Sequence, residues 1–217
     1  MSNKYERNNL LLLYSVFSYF AVINKLVIFA SDVHLSTMTT PIFNSEKSLQ
    51  AVLYVANRLE RKDFHKIFKV LYFADMEHLN NYGRSITGDT YIAMEYGPVP
   101  SAIYDIFKVV RGDSYQWPQV DTLKRLFTVK NRYMIEPIKD ADLSLLSNSD
   151  ITALQNSIDE YGKLSWDEIV ERSHAYAWNS TQLNSRISVE DILKEKGADA
   201  EYIDYVTSLI NLQKECK

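Results

Sequence analysis

Three side chains could do chemistry if the fold brought them together: Asp75, His78 and His174. A carboxylate and two imidazoles are the donor types of a transition-metal site, and so of a metal-assisted hydrolase. Asp75 and His78 are three apart on an expected helix, so they share a face and could touch, the carboxylate orienting a general base. The competing reading is structural. Asp75 would then accept from His78, or satisfy backbone groups near Gly97-Pro98, a corner where proline removes a donor. Perturbed pairs of this kind are often structural. There is no His-Glu-x-x-His, no Gly-x-Ser-x-Gly and no phosphate-cradling glycine loop. The residues therefore lead us to expect no enzyme, no catalytic residue, no metal and no cofactor. His34 and His65 have no partner pattern and read as surface residues. Cys216 is the single cysteine, which excludes an intramolecular disulfide framework and a cysteine zinc cluster and suits a reducing cytoplasm.

The elements that must position these groups follow from periodicity. Leu49, Val52, Leu53, Ala56 and Leu59 recur at helical spacing behind a cap at Asn44 or Ser45. Asp63 caps a second helix with the stripe Ile67, Phe68, Leu71, Ala74, Asp75, His78, Leu79 and Tyr82, stopped at Gly83. Residues 90–96 are rich in Thr, Tyr and Ile and read as a strand. Gly97-Pro98-Val99-Pro100 is expected to break the strand ladder, with Pro100 opening a third helix that Gly112 closes. Residues 115–121, with Trp117-Pro118, read as loop. Residues 126–130 and 132–138 read as two short strands around Asn131. With residues 90–96 they could form one small antiparallel sheet of about three strands. Asn148-Ser149-Asp150, Ser165, Ser188 and Asp199 or Ala200 begin further helices. The expected fold is α+β and mainly α-helical, with Trp166 and Trp178 in its core.

The totals bound the function. The chain has 217 residues, 46% hydrophobic and 24% charged, which suits one globular domain with an appendage. A net charge of -4 gives no basic face for nucleic acid. Residues 1–37 differ from the rest: an apolar run from Leu10 to Ile23 is interrupted by Asn24-Lys25 and followed by Leu-Val-Ile-Phe-Ala. No small-x-small cleavage site follows, and a membrane anchor would carry Asn24-Lys25 inside the bilayer at a cost of roughly 3 kcal/mol. We expect residues 1–37 to be an extension upstream of a start at Met38, with the working domain at residues 38–217. Anchoring through residues 10–30 is the remaining alternative; otherwise no membrane role is expected.

Residues 71–100 carry a resemblance. Leu71-Tyr72-x-Ala74-Asp75-x-x-His78-Leu79, then Tyr82-Gly83-x-x-Ile86-Thr87-Gly88-Asp89, then Tyr91 and Tyr96-Gly97-Pro98-Val99-Pro100 resemble the core of the Panacea domain. This is the SocA-like antitoxin family, also linked to phage-associated proteins. Ser173-His174 followed by Trp178 is similar to a second family element. The resemblance covers roughly residues 44–210. It implies an antitoxin of a bacterial or phage toxin–antitoxin system, which binds and neutralises a protein toxin, typically encoded by an adjacent gene. An adaptor that delivers the toxin to an ATP-dependent protease is an alternative within the same family. The signature residues are then Tyr72, Asp75, His78, Gly83, Gly97, Pro98, Pro100, His174 and Trp178. Tyr91, Met94, Tyr96 and Val99 are the candidate partner-binding residues, since aromatics and Met are enriched at interfaces.

Overall fold

The computed structural model describes residues 43–113 and 120–215. The expectations for residues 1–37, His34, the Met38 start, Trp117-Pro118 and Cys216 lie outside them.

The described chain is built around one helix. α1 (Ser45–Arg58) starts where the Asn44 side chain accepts from the Lys47 N–H. α2 (Phe64–Tyr82) follows, its first turn capped by Asp63 and its end closed by Gly83 in the left-handed conformation. α2 is buried along nearly its whole length, including Lys66, Lys69, Asp75 and His78. An ordinary surface helix buries one stripe. α2 instead contributes to two apolar clusters at once. Ile67, Phe68 and Leu71 pack with Leu53, Phe107, Phe127 and Leu154 in the first. Tyr72, Phe73 and Met76 pack with Tyr91, Ile169, Leu193 and Val206 in the second.

β1 (Tyr91–Met94) and β2 (Gly97–Pro100) form an antiparallel hairpin, followed by α3 (Ser101–Arg111) and α4 (Val120–Lys124). β3 (Phe127–Lys130) and β4 (Met134–Pro137) form a second hairpin. Next come a 3-10 turn at Leu143–Leu145 and α5 (Asn148–Tyr161), with a capping box between Ser147 and Asp150. α6 (Trp166–Ser173), α7 (Tyr176–Asn179), α8 (Val189–Glu195) and α9 (Ala200–Glu215) complete the order. The fold is α+β and mainly helical. Among the described residues, no helix is long and apolar enough to cross a membrane.

Two expectations about the strands are corrected. The described residues form two two-stranded sheets, not one of three strands. Each hairpin finds its further backbone partner in irregular chain. Asn184 and Ile187 donate to the carbonyls of Ala93 and Tyr91, and Ala93 donates to Ser185. On the second hairpin, Ile135 donates to Lys62 and Phe64 donates to Tyr133. The outer edges of β1 and β4 are thereby taken up.

The second correction is that Gly97-Pro98-Val99-Pro100 is itself a strand, paired Ile92 with Val99 and Met94 with Gly97. In an antiparallel pair, alternate residues aim both backbone groups away from the partner strand. The Ser101 N–H bonds Thr90 O at 2.9 Å, which puts residues 97, 99 and 101 on the ladder side. Pro98 and Pro100 therefore face away, where a missing N–H costs the ladder nothing. Pro100 is also the residue before α3 rather than its first residue, and has no side chain to cap it. Asp89 supplies the cap, its two oxygens accepting from Ala102 N at 3.0 Å and Ile103 N at 2.8 Å. Burial pushes this carboxyl up to about 6.

Candidate functional site

The signature residues fall into two groups, Tyr72, Asp75, His78 and Gly83 on α2 and at its end, and Gly97, Pro98, Pro100, His174 and Trp178 on and beside the β1–β2 hairpin. Asp75 is buried, and its Oδ1 accepts from Ile86 N at 2.7 Å and Thr87 N at 3.1 Å. Its Oδ2 accepts from the Thr87 hydroxyl and from Tyr91 OH at 2.8 Å. The carboxylate thus fixes the turn after α2 and the start of β1. Burial raises its pKa, and the four hydrogen bonds to its charged form oppose that rise. His78 Nδ1 lies 2.7 Å from Arg84 O, a pure acceptor, so Nδ1 carries the proton. Nε2 lies 3.0 Å from Ser149 Oγ and 3.2 Å from Asp150 Oδ1. Burial lowers the imidazole's pKa. Beside it, buried Asp150 pairs with Lys47 at 2.7 Å and Arg84 at 3.1 Å. Asp75 and His78 therefore do not bond each other, and neither reaches the Gly97-Pro98 corner. Each is satisfied by groups closer to its own turn of the helix.

Lys69 holds that corner instead. It is fully buried, and its Nζ donates to Pro98 O at 2.7 Å. Gly97 sits in the left-handed region at φ +96°, and a Cβ there would lie 2.3 Å from Ser173 Oγ and 2.8 Å from Lys69 Cε. The neighbouring carbonyls are held in the same manner. Trp178 Nε1 donates to Met94 O at 2.9 Å, and His65 Nε2 lies 3.2 Å from Tyr96 O. His174 stacks on Trp178 at 3.7 Å, its Nε2 buried and without a hydrogen-bond partner among the described residues. Tyr72 meets Tyr91 edge to face at 5.0 Å. The β1–β2 hairpin is thus clamped at three alternate carbonyls by side chains of α2 and α7.

Burial brings the Lys69 amine down to about 7 from 10.5. The sign of the consequence is fixed. Between those values the unfolded chain binds a proton that the folded chain does not, so this group makes stability rise with pH across that window. Lys69→Met removes the term. Urea unfolding is expected to show wild type gaining on the variant from pH 7 to 10.5. A constant gap between the two curves would show that Lys69 does not titrate there.

Next to the clamp, a concavity of about 500 Å³ opens between α2, the hairpin tip and α6. Its lining is mainly apolar and aromatic, from Phe64, Phe68, Met94, Tyr96, Val99, Tyr104, Tyr133 and Trp166, with Asp63, His65, Lys69 and Glu95 as the charged or titratable members. Tyr96, Tyr133 and Trp166 are 52%, 54% and 41% exposed. His65 stacks on Trp166 at 3.6 Å. Burial and the nearby Lys69 push its pKa down to about 4, so it is neutral at pH 7. With Nε2–H given to Tyr96 O, its buried Nδ1 is an acceptor without a partner among the described residues.

A family model described as "Antitoxin SocA-like, Panacea domain" matches residues 67–179. That span runs from α2 to the end of α7 and contains every signature residue named above. The chain belongs to this family. No curated protein and no solved structure matches it.

Within this Panacea domain, the residues suggested for metal or acid–base chemistry are not assembled for it. Asp75 is saturated by donors, both ring nitrogens of His78 are engaged, and His174 is stacked beside the hairpin. Among the described residues, no group of three or more His, Cys, Asp and Glu side chains could hold a metal ion. Of the four partner-binding candidates, Met94, Tyr96 and Val99 line the concavity. Tyr91 is buried and bonded to Asp75, so it cannot face a partner. Trp166 is half exposed on the rim rather than in the core, and His65 is part of the lining rather than a plain surface residue. Sequence reasoning missed Lys66 and Lys69. Lys66 Nζ donates to Tyr161 O at 3.1 Å and to Leu164 O, a cation at the C-terminus of α5. The pattern hid them: Ile67, Phe68, Val70 and Leu71 occupy one face of the helix, and Lys66 and Lys69 lie with His65 on the other, where a solvated side is expected.

Proposed function

We propose that this Panacea domain neutralises a cognate protein toxin by direct binding, and that the toxin docks on the rim of the concavity beside the β1–β2 hairpin. One observation carries the reading. Exposed Tyr96, Tyr133 and Trp166 surround an apolar hollow on a rigidly clamped hairpin. Half-exposed aromatic rings around a preformed pocket are what interface anchors require: large contact area, little conformational entropy to lose and a fixed geometry. A stable complex would bury about 1,600 Å² in total.

The test is growth rescue. The chain is co-expressed with the gene adjacent to its own, in cells with and without their ATP-dependent proteases. The neighbour alone is expected to arrest growth, and the chain to restore it in both strains. A harmless neighbour contradicts the antitoxin reading. Rescue that vanishes without the proteases contradicts neutralisation by binding alone.

A further inference from the structure

The charges around the concavity are not balanced, and the imbalance says what side chain fits it. On the rim and just outside it, Arg61 pairs with Asp63 at 2.6 Å, Lys108 with Asp105 at 2.5 Å and Arg111 with Asp113 at 2.5 Å. Lys69 has no carboxylate partner, but its buried Nζ is turned onto Pro98 O and burial brings its pKa down to about 7, so it carries only part of a charge at neutral pH. Glu95, exposed at the hairpin tip and lining the concavity, takes part in no ion pair or side-chain hydrogen bond among the described residues. The rings show the same preference. Lys108 lies 4.8 Å from the Tyr104 centroid, Arg111 5.5 Å from that of Tyr133 and Arg61 5.8 Å from that of Trp166. These cations are already neutralised by their own aspartates. A guest therefore meets aromatic faces and one unpaired carboxylate, and both favour a cation.

We propose that the concavity receives an arginine or lysine side chain of the bound protein, its aliphatic stem against the aromatic lining and its cationic head at Glu95. This rests on the reading that a protein partner docks here. A long basic side chain has the two parts such a site asks for, an apolar stem and a charged end that stays near water.

The experiment titrates the whole chain with N-acetyl-arginine amide, N-acetyl-norleucine amide and N-acetyl-glutamate amide, following the Trp166 indole N–H by NMR. The arginine probe is expected to bind at least about fivefold more tightly than the norleucine probe, and the glutamate probe most weakly. Glu95→Gln, on an exposed side chain, is expected to leave the melting temperature unchanged and abolish most of that preference. Equal binding of arginine and norleucine, no shift of Trp166 with any probe, or an unchanged preference in Glu95→Gln overturns the proposal. The two readings fail separately. A toxin that binds through Tyr96 and Trp166 without any cation preference keeps the proposed function and removes this inference. A cation preference without toxin binding does the reverse.

Discussion

Gly97→Ala is expected to destabilise the domain by about 3 kcal/mol, from about 1–2 kcal/mol of left-handed backbone strain plus a comparable overpacking cost. The added methyl would lie 2.3 Å from Ser173 Oγ and 2.8 Å from Lys69 Cε, where the hairpin crosses α2 and α6. Ser173 and Lys69 are both fully packed, so neither can swing aside freely. Gly112→Ala is the control. Its φ of +95° matches the +96° of Gly97, yet no described residue lies within 4 Å of a Cβ there. It should lose only the backbone part, about 1–2 kcal/mol. Urea unfolding of both variants separates strain from contact. Equal losses would show that the close approach of hairpin to helix contributes nothing.

Asp75→Ala is expected to cost about 4 kcal/mol, because it strips the acceptor from several buried donors at once. The orphaned groups are Ile86 N, Thr87 N, the Thr87 hydroxyl and Tyr91 OH. Tyr91→Phe removes one donor and leaves the carboxylate three, and should cost only about 1 kcal/mol. Amide exchange locates the damage: Ile86 and Thr87 should lose protection in Asp75→Ala and keep it in Tyr91→Phe. An Asp75→Ala protein with native stability would return this residue to the chemical role that its type first suggests.

Much of the helical frame is legible in the sequence, because capping is local chemistry. Asn44, Asp63, Ser165 and Ser188 cap as their types require, and Gly83 and Gly112 end helices with positive φ. The cap of α5 is displaced by one residue to Ser147, with Asp150 closing the box. The strand status of Gly97–Pro100 was hidden because a proline count does not reveal which side of a ribbon the missing N–H faces. That side depends on register, and register is a pairing between distant residues.

The candidate site was legible by residue and illegible by partner. Asp75, His78, Gly97, His174 and Trp178 stand out as types that a helix or strand would not choose without reason. Their partners do not stand out. Asp75 is answered by backbone N–H groups that every residue possesses, and His78 by the carbonyl of Arg84. Lys69, the residue that touches the corner, reads as an ordinary helix lysine until all faces of α2 are seen to be covered. The concavity has no sequence signature, because its lining comes from α2, the β1–β2 hairpin, α3, the turn before β4 and α6.

The central claim is that a toxin docks on the aromatic rim beside the hairpin. Titration calorimetry of the purified chain with the toxin encoded beside it tests this most directly, using wild type and a Tyr96→Ala, Trp166→Ala double variant. Both side chains are about half exposed, so the melting temperature should hold within a few degrees. The affinity should fall at least about thirtyfold, the loss of one strong interface anchor or two moderate ones. A folded double variant that binds as tightly as wild type would contradict the account.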